Sequence, residues 1–343
     1  MKAAAWLLVV AAAACTWPCA CDRSDEKPVR EVVVYTALDR SFSEPILAEF
    51  ERRTGIRTLV VYDVESTKSV GLVNRIRSER HRPRCDVFWN NEILNTLLLK
   101  REGLLRSVRP ANAALYPEEV RDPEGEWHGF AARARVLLVN TRLVPEDQTP
   151  RSMFDLLDPR WRGQIGLARP VAGTTATHVA CLFAALGEAR AREYLLGLKA
   201  NEVRLESGNK SCAENVARGL LAIAWTDTDD AVIEVDAGSP VRMLFPDDGP
   251  DEPGTLFIPN TLAAIKDSPH PQEAEQLIDF LLSPEVEERL AKGASAQIPL
   301  NRQSRDRGRM RGPGEGRVMR VDFSAAATAW DAAQQFVRDE LLN

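Results

Sequence analysis

The sequence lacks the features that mark many catalytic or nucleic-acid-binding proteins. It contains no G-x-S-x-G, H-E-x-x-H or G-x-x-x-x-G-K-[ST] motif and no Cys–His signature, which disfavours the enzyme classes that carry them. It has no excess of positive charge: the formal net charge is -6, whereas nucleic acid selects a basic face. The four histidines are scattered, and neither a zinc-site spacing nor an internal repeat is found.

Long apolar runs are absent after the N-terminus. Residues 1–21 join Lys2 to an alanine-rich stretch too short to span a bilayer, which is the pattern of a secretory signal peptide. Cys15 follows three alanines and fits a lipoprotein cleavage site better than Cys19 or Cys21 does. Ordinary cleavage before Asp22 is the alternative. We therefore expect an exported protein of the periplasm or cell envelope, touching the membrane only through such a lipid anchor.

Few cysteines remain once this segment is removed. Cys85, Cys181 and Cys212 are an odd number in an oxidising compartment, so at most one pair can form within the chain. Cys85 lies beside a strand pattern and Cys181 within an apolar helical pattern, so we expect both to be buried thiols. A Cys181–Cys212 disulfide is left open.

The mature chain begins with alternating strand and helix patterns. Three β-branched or aromatic runs, 31–35, 56–62 and 86–89, are each followed by an amphipathic helical pattern, which predicts βαβ units on a parallel sheet. Polar residues follow each run, and such strand ends meet at one edge of the sheet. Turn formation is their alternative role. The candidate ligand-binding residues here are Tyr35, Thr36, Asp39, Glu65, Asn90 and Asn91.

Two long extended runs, 130–140 and 255–265, bracket a middle block of the same α/β pattern. The chain is longer than one hydrophobic core usually supports. We therefore predict two lobes: an outer lobe of 28–130 plus 262–343 and an inserted inner lobe of 131–261. The extended runs would be hinge strands, with a ligand cleft between the lobes. The Arg- and Gly-rich stretch 303–317 is predicted to be an exposed loop rather than a nucleic-acid-binding tail.

The main functional candidate is an acidic turn, Thr226-Asp227-Thr228-Asp229-Asp230, between a buried-strand pattern and a helix start. Its carboxylates exceed what helix capping requires, and they suit a hard cation or an ammonium group. Capping is the alternative. We expect Asp227→Ala or Asp229→Ala to weaken ligand binding with little effect on the apo fold, on the expectation that the turn lies at a rim.

Two further pairs complete the predicted site. Thr174 and Thr175 follow Gly173 at a predicted helix start. This helix start is expected to bind an oxyanion, or the threonines only cap the helix. Arg133 and Arg135 share one face of an extended strand. There they bind an anion, pair with the acids of the turn, or form an exposed hinge face.

In this order, the patterns resemble the bacterial periplasmic solute-binding proteins of ABC importers, in the branch of the ferric-ion-binding proteins. The segments that carry the resemblance are VVVYTALD (32–39), EFERRTGI (49–56), DVFWNNE (86–92), ARARVLLVN (132–140), DLLDPRWRGQIG (155–166), AWTDTDDA (224–231), LIDFLLSPEVEERLA (277–291) and QIPL (297–300).

The resemblance implies a two-lobed α/β fold of the type II periplasmic-binding-protein kind and ligand capture by lobe closure. It implies a monomer without enzymatic activity or a resident cofactor, which delivers its ligand to a permease and an ATPase. The implied cargo is a ferric ion or another hard cation, with a synergistic anion. Glu65, Asp227 and Asp229 are the metal ligands that this reading assigns.

One departure from that family keeps a second cargo open. Ferric-binding members usually carry two adjacent tyrosines where this chain has 226–230, and often a histidine where it has 36–39. The alternative cargo is a small organic solute, such as an amino-phosphonate, an amine or another zwitterion. A sensory ligand-binding lipoprotein and an exported α/β enzyme are the other functions considered.

Overall fold

The computed structural model describes residues 30–63 and 69–343. The predicted signal peptide, with Cys15, Cys19 and Cys21, lies outside these residues, as does the candidate ligand Glu65. Across the described residues, no helix combines the length and the apolar character needed to cross a membrane.

Strands and helices alternate along the described chain. The strands are β1 (Glu31–Thr36), β2 (Arg57–Tyr62), β3 (Val87–Asn90), β4 (Leu105–Arg106), β5 (His128–Asn140), β6 (Ile165–Ala168), β7 (Arg204–Glu206), β8 (Ile223–Asp227), β9 (Val241–Leu244) and β10 (Phe257–Ile265). The helices are α1 (Arg40–Thr54), α2 (Val70–Ser78), α3 (Leu94–Arg101), α4 (Gly173–Leu186), α5 (Glu188–Ala200), α6 (Asn209–Ala217), α7 (Thr228–Asp236), α8 (Pro271–Leu281), α9 (Pro284–Lys292) and α10 (Phe323–Phe336).

One sheet runs through the molecule in the order β2-β1-β3-β10-β5-β8-β6-β7, with β4 beside β10 and β9 beside β5. In one half β1 pairs in parallel with β2 and β3, and in the other β6 pairs in parallel with β7 and β8. The long strands β5 and β10 pair with each other in antiparallel fashion and join the two halves. The predicted α/β fold with parallel units and two crossing strands is confirmed.

The crossing strands are apolar for most of their length because both faces of the sheet are covered. All thirteen residues of β5 and all nine of β10 are buried. The start of β5 pairs with β10, and its end pairs with β8 and β9. Within the part that pairs with β10, the register shifts at 258–260, and Ala131 adopts a φ of 41°. A backbone irregularity therefore marks the passage from one half to the other.

A buried glutamate fixes this passage. The Glu287 carboxylate of α9 accepts hydrogen bonds from the backbone N–H groups of Ala131 (2.6 Å), Leu300 (3.1 Å) and Asn301 (2.7 Å). Burial raises the pKa of Glu287, and these amides oppose that shift. Because a buried carboxylate needs such donors, α9, the start of β5 and the segment at 300 are held together.

The last helix, α10, lies against both halves of the molecule. It packs mainly on α4 and also on α3. Phe336 meets Phe183 of α4 with ring centroids 5.8 Å apart, and Arg101 of α3 donates to the carbonyl of Ala327 at 3.1 Å. The C-terminal region thus contacts both blocks, and the lobe boundaries given above stay a prediction.

Two other predictions concern the three cysteines and the stretch 303–317. Cys85, Cys181 and Cys212 are buried free thiols, so the Cys181–Cys212 disulfide is not formed. The stretch 303–317 contains no helix or strand and is mostly exposed. It is attached to the middle block by ion pairs from Arg309 to Asp236 and from Arg311 to Asp248.

We expect Glu287→Gln to lower the free energy of unfolding by about 2 kcal/mol, because an amide leaves buried backbone donors without a carboxylate acceptor. Glu285→Gln, on the same helix, removes only a partly exposed ion pair with Arg53 and should cost less than about 0.5 kcal/mol. Urea denaturation at neutral pH, followed by tryptophan fluorescence, measures both values. Equal stability of the two variants would show that Glu287 does not hold the crossing.

Candidate functional site

A cavity of about 270 Å³ lies at the carboxyl ends of the parallel strands. Its wall comes from the turns that follow β3, β6, β7 and β8, together with one side chain of β5. This is the edge at which α/β sheets bind ligands. The lining residues are Asn91, Arg133, Ala168, Arg169, Val171, Ala172, Gly173, Thr174, Thr175, Ser207, Gly208, Asn209, Asp227 and Asp230.

Two helices begin at this cavity. The first turns of α4 and α6 both line it, and their N-cap residues, Ala172 and Gly208, are extended and provide no side-chain cap. The first amides of a helix lack intrahelical acceptors and carry partial positive charge. The arrangement therefore suits an oxyanion, as the sequence predicted for Thr174 and Thr175 alone.

The carboxylate of Asp227 is engaged within the protein. Its Oδ1 accepts from Arg135 Nη1 at 2.7 Å, and the residue is 2% exposed. Its Oδ2 accepts from Thr174 Oγ1 and from Asn209 Nδ2, the latter at 3.0 Å. Although Asp227 precedes α7, its side chain makes no capping bond there. Asp227 instead connects the first turns of α4 and α6.

Arg135 is fully buried behind the cavity wall. Besides Asp227, its Nη1 donates to Asn209 Oδ1 at 3.0 Å, and its Nε donates to His178 Nδ1 at 3.4 Å. Burial, and then the charge of Arg135, hold the pKa of His178 well below its usual range. The imidazole is therefore neutral and can accept. These contacts give Arg135 a positioning role.

Arg133 is a second buried guanidinium, and it does face the cavity. Its Nη1 pairs with Asp229 Oδ2 at 3.0 Å, and its Nη2 donates to Asn260 Oδ1 at 3.2 Å. Its Nε has no hydrogen-bond partner among the described residues, although the residue is only 3% exposed. Burial acts to lower the pKa of Arg133, but Asp229 and Asp227 raise it overall. A buried donor on a cavity wall is available to a ligand.

The expectation that the acidic turn lies at a rim is wrong. Asp227 and Asp229 are buried, and each is paired with an arginine of β5. Of the alternatives open for Arg133 and Arg135, pairing with the turn is the one observed. Because loss of one partner leaves a buried charge uncompensated, substitution of Asp227 must disturb the fold as well as the cavity.

A metal ion fits this turn only in part. Asp227, Asp229 and Asp230 bring one carboxylate oxygen each within 4.8 Å of one another, a spacing that can hold a metal. Two of these carboxylates already neutralise guanidinium groups, so a cation would compete with Arg133 and Arg135. None of the four tyrosines of the sequence lines the cavity, which leaves no phenolate for a ferric ion there.

The candidates from the outer half lie mostly outside the wall. Asn91 lines the cavity, but Asn90 accepts from Ser69 at 2.8 Å and donates to Glu92 at 2.7 Å. The hydroxyl of Tyr35 donates to Glu79 at 2.9 Å, and Thr36 Oγ1 accepts from the amide of Leu38 at 3.1 Å. Asp39 is exposed at the start of α1, and its charge contributes to the raised pKa of Arg133.

The hydroxyls of the acidic turn bond to the backbone. Thr226 Oγ1 donates to the carbonyl of Asn209 at 3.0 Å, and Thr228 Oγ1 accepts from the amide of Ala134 at 3.2 Å. The sequence reasoning missed Asn209 itself, which contacts Asp227, Arg135 and the first two threonines of α4, Thr174 and Thr175. The available signal was Gly208-Asn209 between a strand and a helix pattern, as at Gly173-Thr174.

Comparisons with known proteins agree with this architecture. Residues 95–309 match the family described as bacterial extracellular solute-binding protein. Iron uptake protein A1 of Synechocystis sp. is 24% identical over 306 residues, covering 82% of each chain.

Two solved structures share the fold over nine-tenths of the chain. Iron-bound HitA of Pseudomonas aeruginosa has a TM-score of 0.81 at 25% identity, covering 90% of this chain and 99% of that one. The periplasmic binding protein AfuA of Actinobacillus pleuropneumoniae, with bound fructose-6-phosphate, has a TM-score of 0.81 at 22% identity, covering 91% and 98%. The predicted two-lobed fold of the type II kind is confirmed.

We expect Asp227→Asn and Arg135→Met each to lower the free energy of unfolding by about 3 kcal/mol, because each leaves a buried group unpaired. The double variant should lose at least about 1 kcal/mol less than the sum of the single losses. The exposed pair Arg162–Glu202 of the same block provides the matched cycle, Arg162→Met with Glu202→Gln. Its coupling should stay below about 0.5 kcal/mol.

Urea denaturation of all six variants and the parent protein measures both cycles. Additive losses at Asp227 and Arg135 would mean that the two side chains do not depend on one another.

Proposed function

This chain belongs to the family of bacterial extracellular solute-binding proteins, and from that premise we propose that it captures a small ligand for an ABC importer. The ligand binds at the cavity between the strand ends, the lobes close over it, and a permease with its ATPase receives it. The protein acts as an exported monomer without catalytic activity, anchored through a lipid on Cys15. The absence of the common catalytic motifs from the sequence supports this assignment.

The group of the ligand that enters the cavity is an oxyanion. The observation that carries this proposal is the Nε of Arg133, a buried donor without a partner among the described residues, on a wall shared with two helix starts. Helix N-termini favour negative charge, and a buried guanidinium adds a donor of the strongest kind. AfuA, a protein of this fold that was solved with bound fructose-6-phosphate, accepts a phosphorylated solute.

The pairing within the acidic turn supports the same choice. Asp227 and Asp229 would make the cavity attractive to a cation if they were unpaired, but Arg135 and Arg133 offset their charges. The cavity therefore presents helix amides and guanidinium groups without the excess negative charge of a cation site. An organic solute that carries a phosphoryl, phosphonyl or carboxyl group is our first candidate.

A ferric ion, bound together with an anion, is the second candidate. Iron uptake protein A1 and iron-bound HitA are named for iron, and three carboxylates of the turn stand at metal-binding spacing. In this case the helix starts would hold the anion, and Asp227, Asp229 and Glu65 would be the metal ligands. The arginine pairs and the missing phenolates make this arrangement less favourable.

We expect methylphosphonate or inorganic phosphate to raise the melting temperature of the purified mature protein, whereas ferric ion alone should not. A ligand that binds only the folded state stabilises it by about 2.7 kcal/mol at a hundredfold excess over its Kd. Arg133→Lys keeps the charge beside Asp229 but removes the Nε donor. It should weaken oxyanion binding about tenfold, the equivalent of a charged hydrogen bond of about 1.5 kcal/mol.

Differential scanning fluorimetry and isothermal titration calorimetry make these measurements, and native mass spectrometry with metal analysis identifies any bound group. Stabilisation by ferric citrate, with none by an organic or inorganic oxyanion, would reverse the order of the two candidates.

A further inference from the structure

We infer that Arg169 is a specificity-determining residue that makes the cavity select a tetrahedral dianion, a phosphoryl or phosphonyl group, over a carboxylate. This inference rests on the proposed function, because it names the chemical class of the oxyanion at the same site. It adds Arg169 to the site and requires that the bound anion carry two negative charges. Neither the helix starts nor Arg133 imposes that requirement.

The backbone of Arg169 is fixed at the cavity wall. The residue follows β6 directly, its amide donates to the carbonyl of Glu206 at the end of β7 (3.0 Å), and its carbonyl accepts from the amide of Val171 (2.8 Å). This turn leads into α4, whose first residues line the cavity beside it. The backbone that carries the guanidinium is therefore held in place, while the side chain itself is exposed.

The charges of the cavity wall single out this arginine. Among the described residues, four charged side chains line the cavity: Arg133, Arg169, Asp227 and Asp230. Arg133 is paired with Asp229, and Asp227 is paired with Arg135, so Arg133 and Asp227 contribute little net charge. The negative charge of Asp230 also acts on Arg133, whose pKa it helps to raise. Within the described ranges, Arg169 has no ion pair. It is the positive charge that a ligand can recruit without breaking an existing pair.

The geometry of a dianion matches this distribution of donors. A carboxylate offers oxygens in one plane with a single charge, which a helix start and one guanidinium donor can satisfy. A phosphoryl or phosphonyl group projects oxygens in three directions and gains a second charge on its second ionisation, which for a phosphate monoester lies near pH 6. Donors at this cavity come from α4, from α6 and from Arg133. Arg169 supplies the second positive charge, and its planar fork suits such a group.

The test compares Arg169→Gln and Arg169→Lys with the parent protein and with Arg142→Gln. Arg142 is a matched control, because it is another exposed arginine of the middle block without an ion pair among the described residues, and it lies outside the cavity lining. Isothermal titration calorimetry measures the affinities for methyl phosphate, methylphosphonate, sulfate and acetate between about pH 5 and about pH 8, across the second ionisation of the phosphate near pH 6.

We expect the parent protein and Arg142→Gln to bind methyl phosphate at least tenfold more tightly at the upper end of this range than at the lower end. Sulfate, which is a dianion throughout, should show no such slope, and acetate should bind weakly. Arg169→Gln should lose ten- to a hundredfold in methyl phosphate affinity at high pH and flatten its pH profile. Arg169→Lys should keep the slope with an intermediate affinity.

The outcomes separate this inference from the proposed function. If the parent protein binds none of the four anions, the oxyanion proposal itself fails. If it binds methyl phosphate and Arg169→Gln binds it with the same affinity and pH profile, the oxyanion proposal stands and the role of Arg169 is overturned. A parent protein that prefers acetate at every pH would overturn the dianion class.

Discussion

The ion pair between Arg135 and Asp227 is the interaction on which the rest of the site depends. It joins β5 to β8, and its carboxylate also receives hydrogen bonds from Thr174 and Asn209, the first-turn residues of α4 and α6. Two charges without access to water are costly, and their pairing, with the further hydrogen bonds to the carboxylate, offsets that cost. The pair therefore determines where both helix starts lie, and with them the shape of the cavity.

The same strand links the cavity to the crossing between the two halves of the sheet. β5 carries Arg133 and Arg135 within the cavity region, and only a few residues earlier it carries the irregularity at Ala131 that Glu287 holds. Asn260 of β10 donates to Gln297 and accepts from Arg133, so the second crossing strand also contacts the guanidinium of Arg133. A ligand shifts a conformational equilibrium only through differential contacts. Because Arg133 belongs to β5 and donates to Asn260 of β10, a ligand that engages Arg133 contacts a side chain held by both crossing strands.

Local pattern predicted the elements and much of the site, because strand ends and helix starts are encoded by short stretches of sequence. The strand before 226–230 and the helix start at Gly173 both occur as expected. From the sequence, the pairing of Asp227 with Arg135 was only one of several alternatives. The two residues are 92 positions apart, and sequence periodicity carries no information on such distant partners. Asn209 was missed for the same reason: its role arises from three segments that meet only in the folded chain.

Burial also changed the chemical meaning of the acidic turn. Counted along the sequence, three carboxylates in 226–230 indicate a cation site, and the names of relatives such as iron uptake protein A1 point the same way. Once folded, two of the three offset guanidinium groups, and the third lines a cavity that also contains Arg169. The sign of the charge that a site attracts is set by what remains after internal pairing. Here the helix amides, the Nε of Arg133 and the guanidinium of Arg169 outnumber the carboxylate of Asp230, and all three are donors to an anion.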